Sequence, residues 1–559
     1  MKAKKVLGLV LALSTAAAAI TGCGAGGNEN ISGADDTGAV SGQTSSGQDA
    51  AQGQNETSQG QVNSSQENFT YPMEATTLTI NYTSDGSDIY DNSDMADWCK
   101  DRGFQKNLQE ATGVTLSDVG GSPATFDTSE EFLLMLASND YPDIIYANWV
   151  SFPGGPEAAL NDGYIYDLMD YQQYLPNLMA YLDENPDIKQ LVLTDSGALY
   201  CAPYVKDEDM ETTTGLVVRQ DWLDQTGKEV PRTPEEMYDV LRAFKNEMEA
   251  ASPLTFECRW LFLEYAAGSL SSAWNTCYPF YIENDTVQYG PMTQNYKEFI
   301  TEMAKWYKEG LIDVDIATVD KSTVQAKFSN GESGVAIQQI GNVENCTAAN
   351  EGTDYAVSAA PSLVSEAGEE PQFSQFTNKY DGSFGFSVST QCSDIEAACR
   401  WLDYFYSEEG SMLINFGLEG VTYEMADGRP QFTDLILNNP ETPNSTTARS
   451  QVGHYRNWPH AVEDSALQYP DSSKAILSTW KSNMREHSMP TVTYTAEESD
   501  TLSALYNDID TYSREMITKF LLGTEDIANW DSFTATLKGM GIDKVLEIRQ
   551  AAYERYCSR

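Results

Sequence analysis

The chain has 559 residues, 41% of them hydrophobic and 11% aromatic, and a formal net charge of −50. That length and hydrophobic content suit two or three globular domains, and so acidic a body has no general field for nucleic acid or anionic lipid, both of which need Lys and Arg. Three histidines (His454, His460, His487) without an HExxH pattern argue against a His-based metal or acid–base centre, and cysteines without a CxxC pair leave zinc unsupported.

Lys2, Lys4 and Lys5 precede an apolar run over residues 6–19. This is the layout of a secretory signal, and it is shorter than the ~20 apolar residues a spanning helix needs. Ile20-Thr21-Gly22-Cys23 follows: an aliphatic residue, two small ones and Cys. The stretch resembles the lipobox of bacterial lipoproteins; an ordinary signal peptide with an incidental Cys is the alternative. The resemblance implies a signal over 1–22, cleavage before Cys23 and lipid on its thiol. Two acyl chains, not one, then make a stable anchor. The mature chain would sit on the outer face of the cytoplasmic membrane of a Gram-positive-type cell. Residues 24–68 are mostly Gly, Ser, Gln, Asn, Thr and Ala with a few acids, and without Lys, Arg, Pro or aromatics. Such a segment buries too little apolar surface to offset its ordering entropy. The expectation over 23–70 is a lipidated Cys and a flexible leash with a span of about 35–40 Å. Eight cysteines remain after Cys23; outside the cell they are free to form disulfides or to serve as small buried apolar residues.

Elements alternate from there. Leu78-Thr79-Ile80-Asn81-Tyr82 reads as a strand, 98–111 as a helix ended near Gly113, 114–116 as a strand, 129–136 as a short helix and 142–146 as a buried strand. This β-α-β-α-β order predicts a parallel sheet with helices on both faces. Thr233-Pro234-Glu235-Glu236 is a capping box with Pro at the first helical position, followed by the stripe Met237, Val240, Leu241, Phe244, Met248. Tyr296, Phe299, Ile300, Met303, Trp306 and Tyr307 form a second stripe ended by Gly310. Residues 393–396 read as another capping box, and Ile542, Val545, Leu546, Tyr553 and Tyr556 as an amphipathic helix.

Five stretches together carry a resemblance: GLVVRQDWLDQTGKEVPRTPEEMYDVLRAFK (215–245), YKEFITEMAKWYKEGLID (296–313), NGESGVAIQQIGN (330–342), WLDYFYSEEGSMLINFGLEGVTYE (401–424) and MGIDKVLEIRQAAYERY (540–556). In this order they resemble the family 1 extracellular solute-binding lipoproteins of ABC importers, in the large subgroup related to alginate-oligosaccharide binders. The resemblance implies an α/β, two-lobed periplasmic-binding-protein-like fold of type II, with discontinuous lobes joined by a hinge. The expected lobes are 71–215 plus 335–385 and 216–334 plus 386–559. It implies a monomer that takes a carbohydrate into the interlobe cleft and passes it to the transmembrane subunits of an ABC permease. No catalysis and no cofactor are expected. Calcium occurs in some relatives, but the acidic clusters Asp207-Glu208-Asp209 and 85–94 do not fit the EF-hand loop pattern. The competing readings are a surface glycan hydrolase or lyase and a non-transport adhesin.

Sugars offer apolar C–H faces to aromatic rings and hydroxyls to carboxylates, amides and Arg. Residues just past strand ends are the first candidates, since open α/β sheets bind ligands there. Tyr82 and Asp85 follow the first strand, Trp149 the third and Tyr204 the strand entering the hinge, while Gln338 ends the returning strand. Trp274 lies in a Gly/Ser-rich segment and Trp458 in the loop 455–460, both off the helical stripes. Tyr423 follows a Gly-x-Glu-Gly turn. Arg219 offers a cationic fork that either clamps a ligand carboxylate or pairs with Asp221.

Overall fold

A computed structural model of the protein describes residues 69–82, 104–120, 130–205, 213–262, 269–373, 380, 385–442, 448, 458–461, 471–481 and 487–559. Cys23, Asp85 and both acidic clusters lie outside the described residues. Gln66–Arg559 forms one compact unit. Among the described residues, no helix is long and apolar enough to cross a membrane.

The fold is mixed α/β with two open sheets. The first carries strands β1 (Thr76–Ile80), β2 (Val114–Asp118), β3 (Ile144–Ala147) and β4 (Ala202–Val205). The second carries β5 (Thr214–Arg219), β6 (Leu254–Thr255), β9 (Val335–Gln339) and β10 (Val357–Ala360), with a separate hairpin of β7 (Phe280–Glu283) and β8 (Thr286–Tyr289) between β6 and β9. The chain then returns through β11 (Gly385–Val388), makes a second hairpin of β12 (Tyr423–Ala426) and β13 (Arg429–Phe432), and adds β14 (His460–Ala461). The first sheet is ordered β14-β4-β11-β3-β1-β2 and the second β10-β5-β9-β6. β1 runs parallel to β2 and β3, as the alternation of elements predicts, whereas β11 runs antiparallel between β3 and β4. β5 is antiparallel to both β9 and β10.

These pairings move the expected lobe boundaries. β9 pairs with β5 from Val218↔Val335 to Thr214↔Gln339, so the chain stays in the second lobe at Val335. β10 stays there too, and the return comes at β11. The first lobe then keeps the helix Ile395–Tyr404, whose Trp401 and Leu402, with the C-cap Phe405, join the first core. The chain leaves it after β14: on the helix Asp471–Lys481, the buried Trp480 Nε1 donates to Leu216 O at 3.0 Å and so covers the second sheet. The described elements therefore change lobe between β4 and β5, between β10 and β11, and between β14 and the helix Asp471–Lys481.

Local chemistry explains the elements. The helix Pro234–Glu247 starts at the predicted capping box, with Thr233 and Glu236 satisfying each other's backbone amides. The helix Gln294–Lys308 buries Tyr296, Phe299, Ile300, Met303 and Trp306 and is followed by Gly310 at φ 66; each such side chain contributes about 1.5–3 kcal/mol of burial. The cap expected over 393–396 sits one residue later, because Asp394 accepts the Ala397 amide. The helix Pro176–Glu184 has Leu175 at its N-cap and no side-chain cap of its own. Its orphan amide is met from a distant segment: the wholly buried Asp403 accepts from Leu178 N at 2.9 Å and from Asn177 Nδ2 at 2.7 Å. Burial pushes the Asp403 carboxyl up to about 7, against the pull of those two donors. Among the described residues Cys201, Cys258, Cys277, Cys346, Cys392, Cys399 and Cys557 are free thiols, and burial pushes Cys201, Cys392 and Cys399 each up to about 12. The five buried ones, Cys201, Cys277, Cys346, Cys392 and Cys399, serve as small apolar residues of the core.

Candidate functional site

Every crossing leaves or enters a sheet at the same edge. In the first sheet it holds the carboxyl ends of β1–β4 and the start of β11; in the second, the start of β5 and the carboxyl ends of β6, β9 and β10. The interlobe junction is thus flanked by strand carboxyl ends, where open α/β sheets place ligands.

On the first-lobe edge, β1 and β3 separate after the pair Ile80↔Ile144. Asn81 fills the gap with its amide, donating to Tyr146 O at 3.2 Å and accepting from Tyr146 N at 2.8 Å. Asp118 Oδ1 accepts from Gly120 N at 2.8 Å and Tyr82 N at 3.3 Å. These bonds fix the turn that carries Tyr82. Its partly exposed ring rests on a bed of aromatics: Tyr146 at 5.3 Å, Trp458 edge-on at 5.3 Å and Phe386 stacked at 6.2 Å.

The second-lobe edge carries a pocket of about 460 Å³ lined by Glu257, Arg259, Asp320, Lys321, Ser322 and Gln325. Glu257 and Arg259 lie just beyond β6, with Arg259 Nε 3.0 Å from Glu257 Oε1. The others open the helix Lys321–Ser329, capped by Asp320. Hydrogen bonds from the Thr323 side chain and amide, and from Ser322, hold the Asp320 carboxyl below its ordinary value. Lys321 Nζ donates to Gln339 Oε1 at 3.0 Å, joining the pocket to the end of β9. Beneath, the buried Asp313 carboxylate takes Lys327 Nζ on both oxygens at 2.8 Å and Thr255 Oγ1 at 2.7 Å. Burial opposes that charge, yet the Lys327 and Thr255 bonds outweigh it and lower the Asp313 pKa. This buried pair pins the helix to β6 and so shapes the pocket.

The structure separates the residues expected from sequence. Tyr82 stands at the junction, half-buried. Trp149 follows β3 but turns inward; it is wholly buried against Phe132 and Phe152, and its Nε1 donates to Ser387 Oγ at 2.8 Å. Trp458 is equally buried among Phe386, Trp401 and Phe405, and supports Tyr82 from below. Tyr204 is buried on β4 beside β14. Gln338 is buried on β9, and its Nε2 has no hydrogen-bond partner among the described residues. Arg219 ends β5 five residues from the crossing edge, about 17 Å along the strand. Its guanidinium is closed off by Asp221, at 2.8 and 2.6 Å, and lies over Trp222 and Tyr355. Trp274 is half-buried against Phe299, 5.4 Å between ring centres. Tyr423 packs on Phe416 in a small separate core. The pocket residues escaped sequence reading: β6 has two residues and shows no alternation, although Asp320-Lys321-Ser322-Thr323 does carry an N-cap signal. Among the described residues no group of three or more His, Cys, Asp or Glu is placed to hold a metal ion.

Three similarities bear on this architecture. The fructooligosaccharide ABC transporter substrate-binding protein FusA of Streptococcus pneumoniae serotype 4 is 25% identical over 494 residues, 81% of this chain and 86% of that protein. Lipoprotein LipO of Bacillus subtilis is 22% identical over 465 residues, 80% of this chain and 88% of that one. The crystal structure of the alginate-binding protein AlgQ2 without calcium ion superposes with a TM-score of 0.67 at 23% identity, over 86% of this chain and 98% of that chain, and shares the fold. The profile of the family described as bacterial extracellular solute-binding protein matches residues 92–412, more than half of the chain, and the protein belongs to that family.

Proposed function

We propose that the protein captures an oligosaccharide between its lobes and delivers it to an ABC permease, tethered to the membrane through Cys23. The observation that carries this reading is the pairing of two unlike edges at the junction. One presents the Tyr82 ring on an aromatic bed; the other presents a polar pocket of about 460 Å³. A sugar needs both, a ring face for its C–H surface and polar groups for its hydroxyls. A relative named for fructooligosaccharide and a fold neighbour named for alginate add support for the ligand class. Capture by closure requires contacts that the open form lacks.

The test is a thermal-shift screen of the body from residue 70 against neutral and acidic oligosaccharides, followed by calorimetric titration. A ligand at 100 times its Kd adds about 2.7 kcal/mol, a readily measured shift. The bound sugar is expected to be recovered unchanged. Steady product formation in proportion to protein would replace the reading with an enzyme, and a screen in which no carbohydrate binds would remove the sugar assignment.

A further inference from the structure

The lobes also meet away from the crossing segments. Asp195 belongs to the first lobe, in the turn between the helix Pro186–Val192 and β4, seven residues ahead of that strand. Arg555 and Arg559 end the chain's last helix, whose Ile542, Val545, Ile548 and Ala552 are in the core of the second lobe. Arg555 Nε donates to Asp195 Oδ2 at 2.5 Å, while its two terminal nitrogens grip Glu498 of the second lobe at 2.9 and 2.5 Å. Arg559 also donates to Asp195, and further to Leu193 O at 2.5 Å, Gln190 O at 3.1 Å and Thr493 Oγ1 at 2.6 Å. Gln190 Nε2 returns a bond to Tyr556 O at 2.8 Å. Asp195, Glu498 and Arg559 are each less than one-fifth exposed in their side chains.

We propose that Asp195, Glu498, Arg555 and Arg559 are a noncovalent tie that holds the lobes in their present arrangement and sets how readily they part. One guanidinium bridges a carboxylate from each lobe, so neither acid keeps its full partnership when the lobes separate. The tie also sits off the hinge. β4 alone places about 13 Å between Asp195 and the crossing that follows the strand. A lobe rotation of about 20° about the crossings would move Asp195 by about 4–5 Å, beyond hydrogen-bond reach. Bidentate, half-buried pairs of this kind are the ion pairs that count energetically, unlike exposed ones. The tie touches neither Tyr82 nor the pocket, so it acts on the lobe equilibrium without entering the binding surface.

The test needs no ligand. Asp195→Asn, Arg555→Gln and the milder Arg559→Gln are compared with the unmodified chain by small-angle scattering and hydrogen exchange. Lys544→Gln, which breaks the exposed Lys544–Glu547 pair on the same helix, is the control. The tie variants should broaden the distance distribution and speed exchange about tenfold at 190–195 and 493–498, leaving exchange in both cores unchanged. The control should do neither, and Asp195→Glu should restore the parent behaviour. Scattering and exchange identical to the parent in all three variants, or exchange rising equally throughout both cores, would overturn the tie.

Discussion

Replacing Asp403 by Asn tests whether the first lobe carries a carboxyl that resists ionisation. The side chain is wholly buried and has two donors, Leu178 N and Asn177 Nδ2, in a site built as the cap of the helix Pro176–Glu184. Burial raises its pKa to about 7 from an ordinary 3.8. The sign follows from linkage: a group whose folded pKa is raised stabilises the fold below its unfolded pKa, and that contribution is lost as pH rises through the folded value. The loss between about pH 5.5 and pH 8.5 comes to about 2 kcal/mol for this one group. Asn keeps an acceptor for Leu178 N and has no proton to lose, provided the Asn177 amide turns to accept. Urea unfolding of both proteins at several pH values should therefore give a stability difference that grows in the variant's favour by about 2 kcal/mol between pH 5.5 and pH 8.5. Differencing the two proteins removes the titration of every other group. A difference flat to about 0.5 kcal/mol across that range would show that the helix N-terminus and its two donors offset burial, leaving Asp403 ionised throughout.

Three further outcomes are expected. A Cβ on Gly385, where β11 begins, would stand 2.3 Å from Cys201 Sγ and 2.7 Å from Cys201 Cβ, both buried; Gly385→Ala should cost about 1–3 kcal/mol in thermal unfolding, and Cys201→Ala, which removes Sγ but keeps Cβ, should recover only part of it. Tyr82→Ala should weaken oligosaccharide binding about tenfold or more with a small change in Tm, whereas Trp458→Ala should cost about 3–5 kcal/mol of stability; equal effects of the two on affinity at matched stability would count against Tyr82 as the contact face. Cys23→Ser should move the protein from the membrane fraction to the medium with its affinity unchanged, and retention after a salt wash would refute the lipid anchor.

The elements most legible in the sequence were those whose signal is local. The capping box at Thr233 and the stripe from Tyr296 to Trp306 are set by neighbours within two turns, and both formed where expected. The parallel order of β1, β2 and β3 also follows from short βαβ connections. The lobe boundaries were not local. Val335 to Gln339 are as apolar as a first-lobe strand would be, and which sheet they join depends on pairing with β5, more than a hundred residues earlier. The cap of the helix at Pro176 came from Asp403, which no window of sequence could connect to it.

The site follows the same division. Position past a strand end singled out Tyr82, Trp149 and Tyr204, but it does not say which way a ring turns, and Tyr204 lies within β4 rather than past its end. That choice is made by packing and hydrogen bonding. Ser387 on β11 offers Trp149 an acceptor and draws its indole inward; the turn held by Asp118 leaves Tyr82 half-buried. A large aromatic finds its lowest free energy buried with its polar atom satisfied. One that stays partly in water beside a strand end keeps that unburied area available for a ligand. The half-buried ring of Tyr82 and the buried Trp458 that supports it belong to one device. The second-lobe pocket obeys the converse rule: its polar groups stand open to water at the mouth, while the wholly buried Asp313 beneath them is paired with Lys327 and hydrogen-bonded by Thr255. The charge that shapes this wall is thus already spent within the protein, and the groups left to meet a ligand are those whose bonds with water are exchanged for bonds with its hydroxyls when the lobes close.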